Sequence, residues 1–126
     1  MPDDRAKVLI VEDDTMILDM YVQKFEQEGF AVFHLDRGDD VVEIAEKEQP
    51  KIILLDVIMP GLDGFAVLRD LKANDKTKNI PVMMLTNLGQ DEDKSKGLTL
   101  GAVGYIIKSS MTPGDVVKKV SEFLKL

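Results

Sequence analysis

The chain has 126 residues, enough for one domain with a hydrophobic core and too few for two. Its 44% hydrophobic and 31% charged residues exclude a disordered chain, and its net charge of −7 argues against direct binding of nucleic acid, whose phosphates attract lysine and arginine patches. Cysteine is absent, which excludes disulfides and thiolate chemistry.

The first half of the chain alternates between predicted strands and helices. Val8–Val11 is a short apolar run that predicts the first strand, and three acidic residues follow it. Apolar residues at helical spacing over residues 17–25 predict the first helix. Residues 30–35 predict a weaker second strand, and residues 41–49 a second helix that ends before a proline.

The third predicted strand is the most apolar one. Ile52–Leu55 runs without interruption into a single carboxylate, Asp56, and a turn rich in proline and glycine follows over residues 57–64. Such a run is typical of a strand buried on both faces of a parallel sheet. Ligand sites in these sheets lie beyond the carboxyl ends of the strands, which is the position of Asp56.

The second half continues the alternation. A helical pattern over residues 65–71 is followed by a fourth strand, Pro81–Thr86, and by a short helix, Asp91–Leu100. Gly104–Lys108 predicts the fifth strand. Thr112 is a good N-cap for the last helix, with proline at the next position.

Five strands that alternate with five helices predict an α/β fold. We expect a doubly wound, five-stranded parallel sheet with helices on both faces and the flavodoxin-like strand order 2-1-3-4-5. We expect residues 1–126 to form a single domain. The sequence contains no signal peptide and no apolar stretch of the roughly 20 residues that span a membrane. We therefore expect a cytoplasmic protein without a membrane contact.

Polar side chains follow four of the predicted strands at one edge of this sheet. The first strand ends in Glu12 and Asp13, the third in Asp56, the fourth in Thr86 and the fifth in Lys108. Each has an ordinary explanation alone: acids favour helix N-termini, an aspartate can cap a turn, and a lysine is usually solvated. Together they predict one functional pocket.

The composition of this pocket indicates phosphoryl chemistry. Three neighbouring carboxylates repel one another unless a hard cation lies among them, and Mg²⁺ is suited to carboxylates, waters and phosphate oxygens. A cation, an ammonium and a hydroxyl together stabilise a phosphoryl group in transfer. An ionised Asp56 could attack phosphorus and form an acyl phosphate.

These residues resemble the receiver domain of two-component response regulators. The resemblance extends over the whole chain, and its motifs occur in the expected order, which makes the set specific although each motif alone is weak. The motifs are Val11–Asp14, Leu55–Gly64, Leu85–Thr86, Gly101–Tyr105 and Lys108.

The resemblance implies a role for each site residue. Asp56 would accept the phosphoryl group from a phosphohistidine of a histidine kinase or of a histidine phosphotransfer protein. Asp13 and Asp56 would bind Mg²⁺ directly, together with the backbone carbonyl of Ile58, and Glu12 would act through a water molecule. Lys108 would pair with the phosphoryl oxygens.

The resemblance also implies a conformational switch. The hydroxyl of Thr86 would move toward the phosphoryl group, and Tyr105 would swing inward into the space that is vacated. The face formed by the fourth helix, fifth strand and fifth helix, roughly Asp91–Leu126, would then bind an unknown downstream protein. The residue after the lysine is usually a cis proline in this family, and Ser109 stands there, so that either isomer of this bond is open.

Three residues near the pocket are predicted to tune dephosphorylation. Ile58 and Leu88 lie two residues beyond Asp56 and Thr86, where family members have side chains that flank the path of the attacking water. Because both are apolar, we hypothesise a long-lived acyl phosphate. Asn87 is larger than usual at its position and would narrow access to the phosphoryl group.

Other classes of function fit less well. A phosphatase of the haloacid dehalogenase type needs a second aspartate two residues after the nucleophile, where this chain has Ile58. A flavodoxin would need a hydroxyl-rich phosphate loop after the first strand, where Glu12 and its acidic neighbours would repel the phosphate of the flavin. The favoured interpretation is a phosphoacceptor switch rather than an enzyme, either a stand-alone receiver or part of a larger regulator.

Overall fold

A parallel sheet forms the centre of the protein. The computed structural model describes residues 4–59, 62–87 and 91–126; for residues 58, 59, 62 and 91–94 it describes the backbone. The strands of the sheet are β1 (Lys7–Val11), β2 (Ala31–Leu35), β3 (Ile52–Asp56), β4 (Val82–Thr86) and β5 (Gly104–Ile107). All neighbouring pairs are parallel, in the order β2-β1-β3-β4-β5. The predicted α/β fold and strand order are confirmed.

A helix follows each strand, and the helices divide between the two faces of the sheet. They are α1 (Thr15–Gln27), α2 (Val41–Glu48), α3 (Gly64–Ala73), α4 (Asp91–Thr99) and α5 (Pro113–Leu124). One core cluster joins the sheet to α1 and α5, and another joins its opposite face to α2 and α3. Every residue of β3 and β4 is buried, because helices cover the central strands on both sides.

Side-chain caps fix where three of the helices begin. The carboxylate of Asp14 accepts hydrogen bonds from the backbone N–H groups of the first turn of α1, and Asp63 does the same for α3. Thr112 and Asp115 form a capping box at α5, with Pro113 in the first turn. These short polar residues satisfy backbone donors that a helix start otherwise leaves unpaired.

Strand boundaries differ from the sequence prediction by one residue in several places, of which those at β4 and β5 change the local structure. Pro81 precedes β4 instead of starting it, although its carbonyl still accepts a hydrogen bond of 2.9 Å from the N–H of Ile53. Lys108 begins a 3₁₀ turn, Lys108–Ser110, instead of ending β5, because the chain turns there toward α5. The Lys108–Ser109 bond, which the sequence left open, is trans.

Two further features surround the end of β3. A small antiparallel hairpin pairs Ile58–Met59 with Leu62–Asp63 directly after β3, within the turn that the sequence predicted. Among the helices of the described ranges, none has both the length and the apolar character that a membrane crossing requires.

Candidate functional site

Three carboxylates meet at the carboxyl edge of the sheet. Glu12 and Asp13 follow β1, and Asp56 ends β3, which is the hydrogen-bonded neighbour of β1. One carboxylate oxygen from each residue lies within 4.8 Å of the others. Glu12 and Asp56 are buried, whereas Asp13 is exposed. The cluster is therefore open to solvent on the side of Asp13.

Lys108 neutralises part of this negative charge. Its ammonium Nζ donates a hydrogen bond of 2.6 Å to Oε1 of Glu12 and one of 3.3 Å to Oδ2 of Asp56. The side chain of Lys108 is only 10% exposed, although it starts beyond the edge strand β5. One ammonium against three carboxylates leaves an excess of negative charge at the site.

Backbone contacts hold Asp56 in place. The N–H of Val57 donates to the carbonyl of Leu85 at 3.0 Å, which continues the pairing of β3 with β4. The N–H of Gly64 donates to the carbonyl of Val57 at 2.7 Å and brings the start of α3 against the end of β3. A Cβ atom at Gly64 would overlap the backbone carbonyl of Asp56, so this close approach requires glycine.

The three successive acids after β1 have different local roles. Asp14 caps α1, with its Oδ1 accepting from the N–H of Met16 at 3.0 Å. Glu12 uses one oxygen for Lys108 and the other, Oε2, to accept from the N–H of Asp14 at 3.2 Å. The helix-cap explanation therefore applies to Asp14, while Glu12 and Asp13 lie at the cluster.

The electrostatics of the cluster reflect its burial. Burial raises the pKa of Asp56 to about 8, and the neighbouring Glu12 and Asp13 act in the same direction. Burial lowers the pKa of Lys108, but its contacts with Glu12 and Asp56 outweigh this and leave it raised. The ammonium is thus kept charged, whereas the buried Asp56 carboxylate is disfavoured without another positive charge nearby.

This donor set fits a hard divalent cation. With all three acids ionised, three carboxylates and one ammonium leave about two negative charges uncompensated, and the oxygens are close enough to share one ion. Carboxylate oxygens are the ligands that Mg²⁺ prefers, and the exposed side of the cluster leaves room for waters or phosphoryl oxygens. The residues that could hold the ion are Glu12, Asp13 and Asp56, with the backbone carbonyl of Ile58 in the adjacent hairpin as a further candidate.

Thr86 lies next to the end of β3, and Tyr105 lies one strand further along the sheet, on β5. Thr86 ends β4 and is buried, and its neighbour Leu85 pairs in register with Asp56. Tyr105 pairs in register with Met84 and packs, half-buried, against the core cluster on the α2/α3 side of the sheet. Because side chains alternate along a strand, Thr86 projects toward the same face as Met84. Thr86 and Tyr105 therefore share one face of the sheet.

The structure describes the three residues predicted to tune dephosphorylation to different extents. Asn87 is exposed immediately after Thr86. The backbone of Ile58 is paired with Asp63 in the hairpin. Leu88 lies outside the described residues. His34, the one histidine in the sequence, is exposed on β2 and does not belong to the acidic cluster.

Sequence reasoning did not identify two glycines that shape this region. Gly64 permits the approach of α3 to Asp56, and Gly97 in α4 lies directly against the ring of Tyr105. A glycine inside a helical pattern is a recognisable signal of close approach, but it does not name the partner.

The chain matches a known protein family over most of its length. The response regulator receiver domain family matches residues 8–121. The phosphate regulon transcriptional regulatory protein PhoB of Escherichia coli is 34% identical over 119 residues, which cover 94% of this chain and 52% of PhoB. The chain thus spans about half the length of this curated relative.

Solved structures show the same architecture. The chemotaxis response regulator CheY4 of Vibrio cholerae has a TM-score of 0.86 at 29% identity, with 94% of this chain and 98% of CheY4 covered. The BeF₃-activated N-terminal receiver domain of Klebsiella pneumoniae RstA has a TM-score of 0.85 at 29% identity, with 95% of this chain and 99% of that domain covered.

Proposed function

The chain belongs to the response regulator receiver domain family, and on that premise we propose that it relays a signal by accepting a phosphoryl group on Asp56. The donor is a phosphohistidine of a histidine kinase or of a histidine phosphotransfer protein. The observation that supports this most directly is the cluster of Glu12, Asp13 and Asp56 around the ammonium of Lys108. The protein is then a phosphoacceptor switch that takes part in its own phosphorylation and dephosphorylation.

The transfer is an in-line displacement at phosphorus. A carboxylate oxygen of Asp56 attacks the phosphorus atom, an O–P bond forms, and the P–N bond to the donor histidine breaks, so that the imidazole leaves with its electron pair. Lys108, already 3.3 Å from Oδ2 of Asp56, is positioned to pair with a phosphoryl oxygen. When bound, Mg²⁺ supplies positive charge that offsets the carboxylates and the phosphoryl oxygens. Asp13, Asp56 and the Ile58 carbonyl would hold it directly, and Glu12 would act through a water molecule.

The neighbouring residues Thr86 and Tyr105 respond to the new charge. A phosphoryl group adds about −1.5 to −2 charges and several strong acceptors at one point. The hydroxyl of Thr86, at the end of the strand next to β3, moves to donate to it, and Tyr105 swings inward on the same face of the sheet. This shifts the population toward the conformer that satisfies the phosphoryl oxygens.

The α4, β5 and α5 face binds a downstream protein. This role is supported by large apolar side chains exposed on these elements and the segment between them, namely Leu98, Val103 and Phe123. Met16 and Met20 on α1 are exposed as well, and apolar surface of this kind favours protein contacts. Direct binding of nucleic acid is not expected of this chain, but PhoB is a transcriptional regulatory protein. That expectation and the cytoplasmic location both stay predictions.

A phosphorylation assay tests the proposal. The protein is incubated with phosphoramidate and Mg²⁺, and intact mass spectrometry counts phosphoryl groups. We expect one group per chain, lost with chelator and in Asp56→Asn. Asp63→Asn is the matched control, because asparagine still caps α3 and the residue lies outside the acidic cluster. Unchanged incorporation in Asp56→Asn would overturn the assignment, and repeated turnover of a phosphoester would instead favour a phosphatase.

The lifetime of the acyl phosphate is a separate proposal. Ile58 and Leu88 provide no polar group to orient the attacking water, and the exposed Asn87 narrows access to the phosphoryl group. We therefore expect slow hydrolysis of the acyl phosphate. The decay of the phosphorylated protein is followed after the donor is removed. Ile58→Asn is expected to shorten the lifetime, and a wild-type half-life of seconds would contradict the idea.

A further inference from the structure

Helix α4 presents a glycine to the body of the protein. Among residues 95–99, the part of α4 whose side chains are described, Gly97 is buried and its four neighbours are exposed. The buried positions of α1, α3 and α5 are instead mostly leucine, valine, tyrosine and phenylalanine. A glycine inside a helix lowers the stability of the helix by about 1 kcal/mol relative to alanine. A glycine at this buried position therefore calls for an explanation in what packs against it.

The group that lies against Gly97 is the ring of Tyr105. A Cβ atom at Gly97 would lie 2.6 Å from Cε2, 2.7 Å from Oη and 3.0 Å from Cζ of this ring. These separations are well inside van der Waals contact, which begins near 3.5 Å for carbon atoms. The observed position of Tyr105 is therefore compatible with glycine at position 97 and not with any larger residue.

Two backbone hydrogen bonds hold the end of α4 that contains Gly97. The carbonyl of Gly97 accepts a hydrogen bond of 2.9 Å from the N–H of Ala102, and the carbonyl of Leu98 accepts one of 3.1 Å from the N–H of Gly101. With Gly101 at φ +107°, these two bonds form a Schellman motif at the C-terminus of α4. Ala102 is itself buried in the core. The end of α4 that contains Gly97 is thus tied to the sheet.

The neighbouring residue Lys96 forms a second contact that holds α4 against α3. Its ammonium lies 4.7 Å from the centre of the Phe65 ring in α3, a cation–π contact. Phe65 is buried and follows Gly64, the residue that contacts the Asp56 backbone. With α4 held at both positions, added bulk at residue 97 would displace the Tyr105 side chain rather than the helix.

We propose that Gly97 is the positioning residue for Tyr105. It leaves room for the ring against α4, which stabilises the resting conformer and sets the equilibrium between this conformer and the one that phosphorylation favours. This rests on the proposed function, in which Tyr105 turns inward beside Thr86. A methyl group at position 97 raises the free energy of the conformer with the ring against α4 and leaves the inward conformer unaffected. The population then shifts inward, which favours whatever binds that conformer.

The test is the affinity of the protein for beryllofluoride, a phosphoryl mimic, measured with Mg²⁺ by calorimetry. We expect Gly97→Ala to bind roughly fivefold or more tightly than wild type. Gly114→Ala is the matched control, because it is the same substitution in α5 with its nearest neighbours at 3.5 Å and 3.7 Å. An affinity of Gly97→Ala that is unchanged or weaker, as would follow if the ring moved into solvent, overturns the inference.

A double-mutant cycle separates the ring from effects on helix stability. Tyr105→Ala removes the obstructing atoms, so Gly97→Ala should then have no effect on affinity. A gain that persists without the ring would contradict the inference. If Gly97→Ala does not fold, the double variant should fold, and failure to restore folding would count equally against it.

A spectroscopic measurement reports the ring directly. The chain has two tyrosines, so ¹³C-tyrosine NMR gives two sets of ring signals, and Tyr105→Phe assigns them. In the free Gly97→Ala protein, the Tyr105 signal should move toward its position in beryllofluoride-bound wild type. A wild type that does not bind beryllofluoride, or an Asp56→Asn variant that does, refutes the proposed function itself. Binding by wild type with an unmoved Tyr105 signal in Gly97→Ala refutes only the role of Gly97.

Discussion

At the scale of single residues, the site is dominated by the burial of Glu12. Its side chain is fully buried, and its two oxygens are satisfied by Lys108 and by the N–H of Asp14. A buried carboxylate is costly unless it is paired in this way, and removal of one partner costs more than the pair contributes. Lys108 therefore has a structural role in addition to its proposed pairing with phosphoryl oxygens.

Lys108→Met tests this structural role. Without Mg²⁺ we expect the free energy of unfolding to fall by roughly 2 to 4 kcal/mol, because Glu12 loses its partner. Urea denaturation measures the loss. Mg²⁺ affinity should rise, because a competing positive charge is gone. The exposed Lys118→Met is the control and should stay within about 0.5 kcal/mol of wild type. Weaker Mg²⁺ binding by Lys108→Met would contradict this account.

Asp56→Asn should have the opposite effect on stability. Burial and the neighbouring acids disfavour the Asp56 carboxylate, as its pKa raised to about 8 indicates. The unfolded chain ionises Asp56 above its ordinary pKa, so folding at neutral or alkaline pH must either protonate the carboxyl or bury its charge, a cost that the neutral amide avoids. In chelator at such pH we expect a gain of about 1 to 2 kcal/mol in the free energy of unfolding. Thermal unfolding in EDTA measures it. A less stable Asn variant would show that the carboxylate makes favourable contacts that outweigh the repulsion.

At the scale of elements, the junction between β3 and α3 positions the acceptor. The Asp63 cap starts α3, and the N–H of Gly64 reaches the carbonyl of Val57 directly behind Asp56. The helix start and the strand end are thus in backbone contact, with no side chain between them. A change in this junction should therefore alter the position of Asp56 as well as the stability of the fold.

Gly64→Ala tests the junction. The added methyl would overlap the carbonyl of Asp56, a backbone group that cannot move aside as a flexible side chain could. We expect a loss of about 2 to 3 kcal/mol in stability together with weaker Mg²⁺ binding. Chemical denaturation and metal titration measure the two effects. Gly114→Ala, which has room for the methyl, should show neither. A destabilised Gly64→Ala with normal Mg²⁺ affinity would mean that the junction does not position Asp56.

At the scale of the whole molecule, different parts of the proposed site are in phase with the two opposite faces of the sheet. Asp56 ends β3 in phase with Leu54, which belongs to the core under α1 and α5. Thr86 and Tyr105 are in phase with Met84, whose core lies on the opposite face. Asp56 and Thr86 therefore start from opposite faces of the sheet, and the proposed phosphoryl group lies beyond the strand ends, where Thr86 can reach it.

Metal binding should stabilise the whole domain through linkage. The excess negative charge at the cluster destabilises the metal-free fold, and a cation that binds only the folded state adds RT ln(1 + [L]/Kd), or about 1.4 kcal/mol at ten times Kd. The melting temperature should rise steadily with Mg²⁺ concentration. Asp13→Asn should reduce this dependence, whereas Asp19→Asn, exposed on α1 and outside the cluster, should not. A melting temperature independent of Mg²⁺ would contradict the proposed metal site.

Local patterns in the sequence were enough to predict the fold and the composition of the site. Apolar runs, helical spacing and turn residues act over a few positions, and they predicted the five strands, the five helices and their order. The carboxyl ends of parallel strands meet at one edge of the sheet, and this rule predicted that Glu12, Asp13 and Asp56 lie close together, as they do.

Only the tertiary structure decided how these groups are arranged. It assigned Asp14 to the cap of α1, paired Lys108 with both Glu12 and Asp56, and made the Lys108–Ser109 bond trans. It also placed Gly97 against Tyr105. Each of these depends on the distances between side chains from different elements. Such distances follow from the packing of helices on the sheet, and no pattern within a single stretch of sequence contains them.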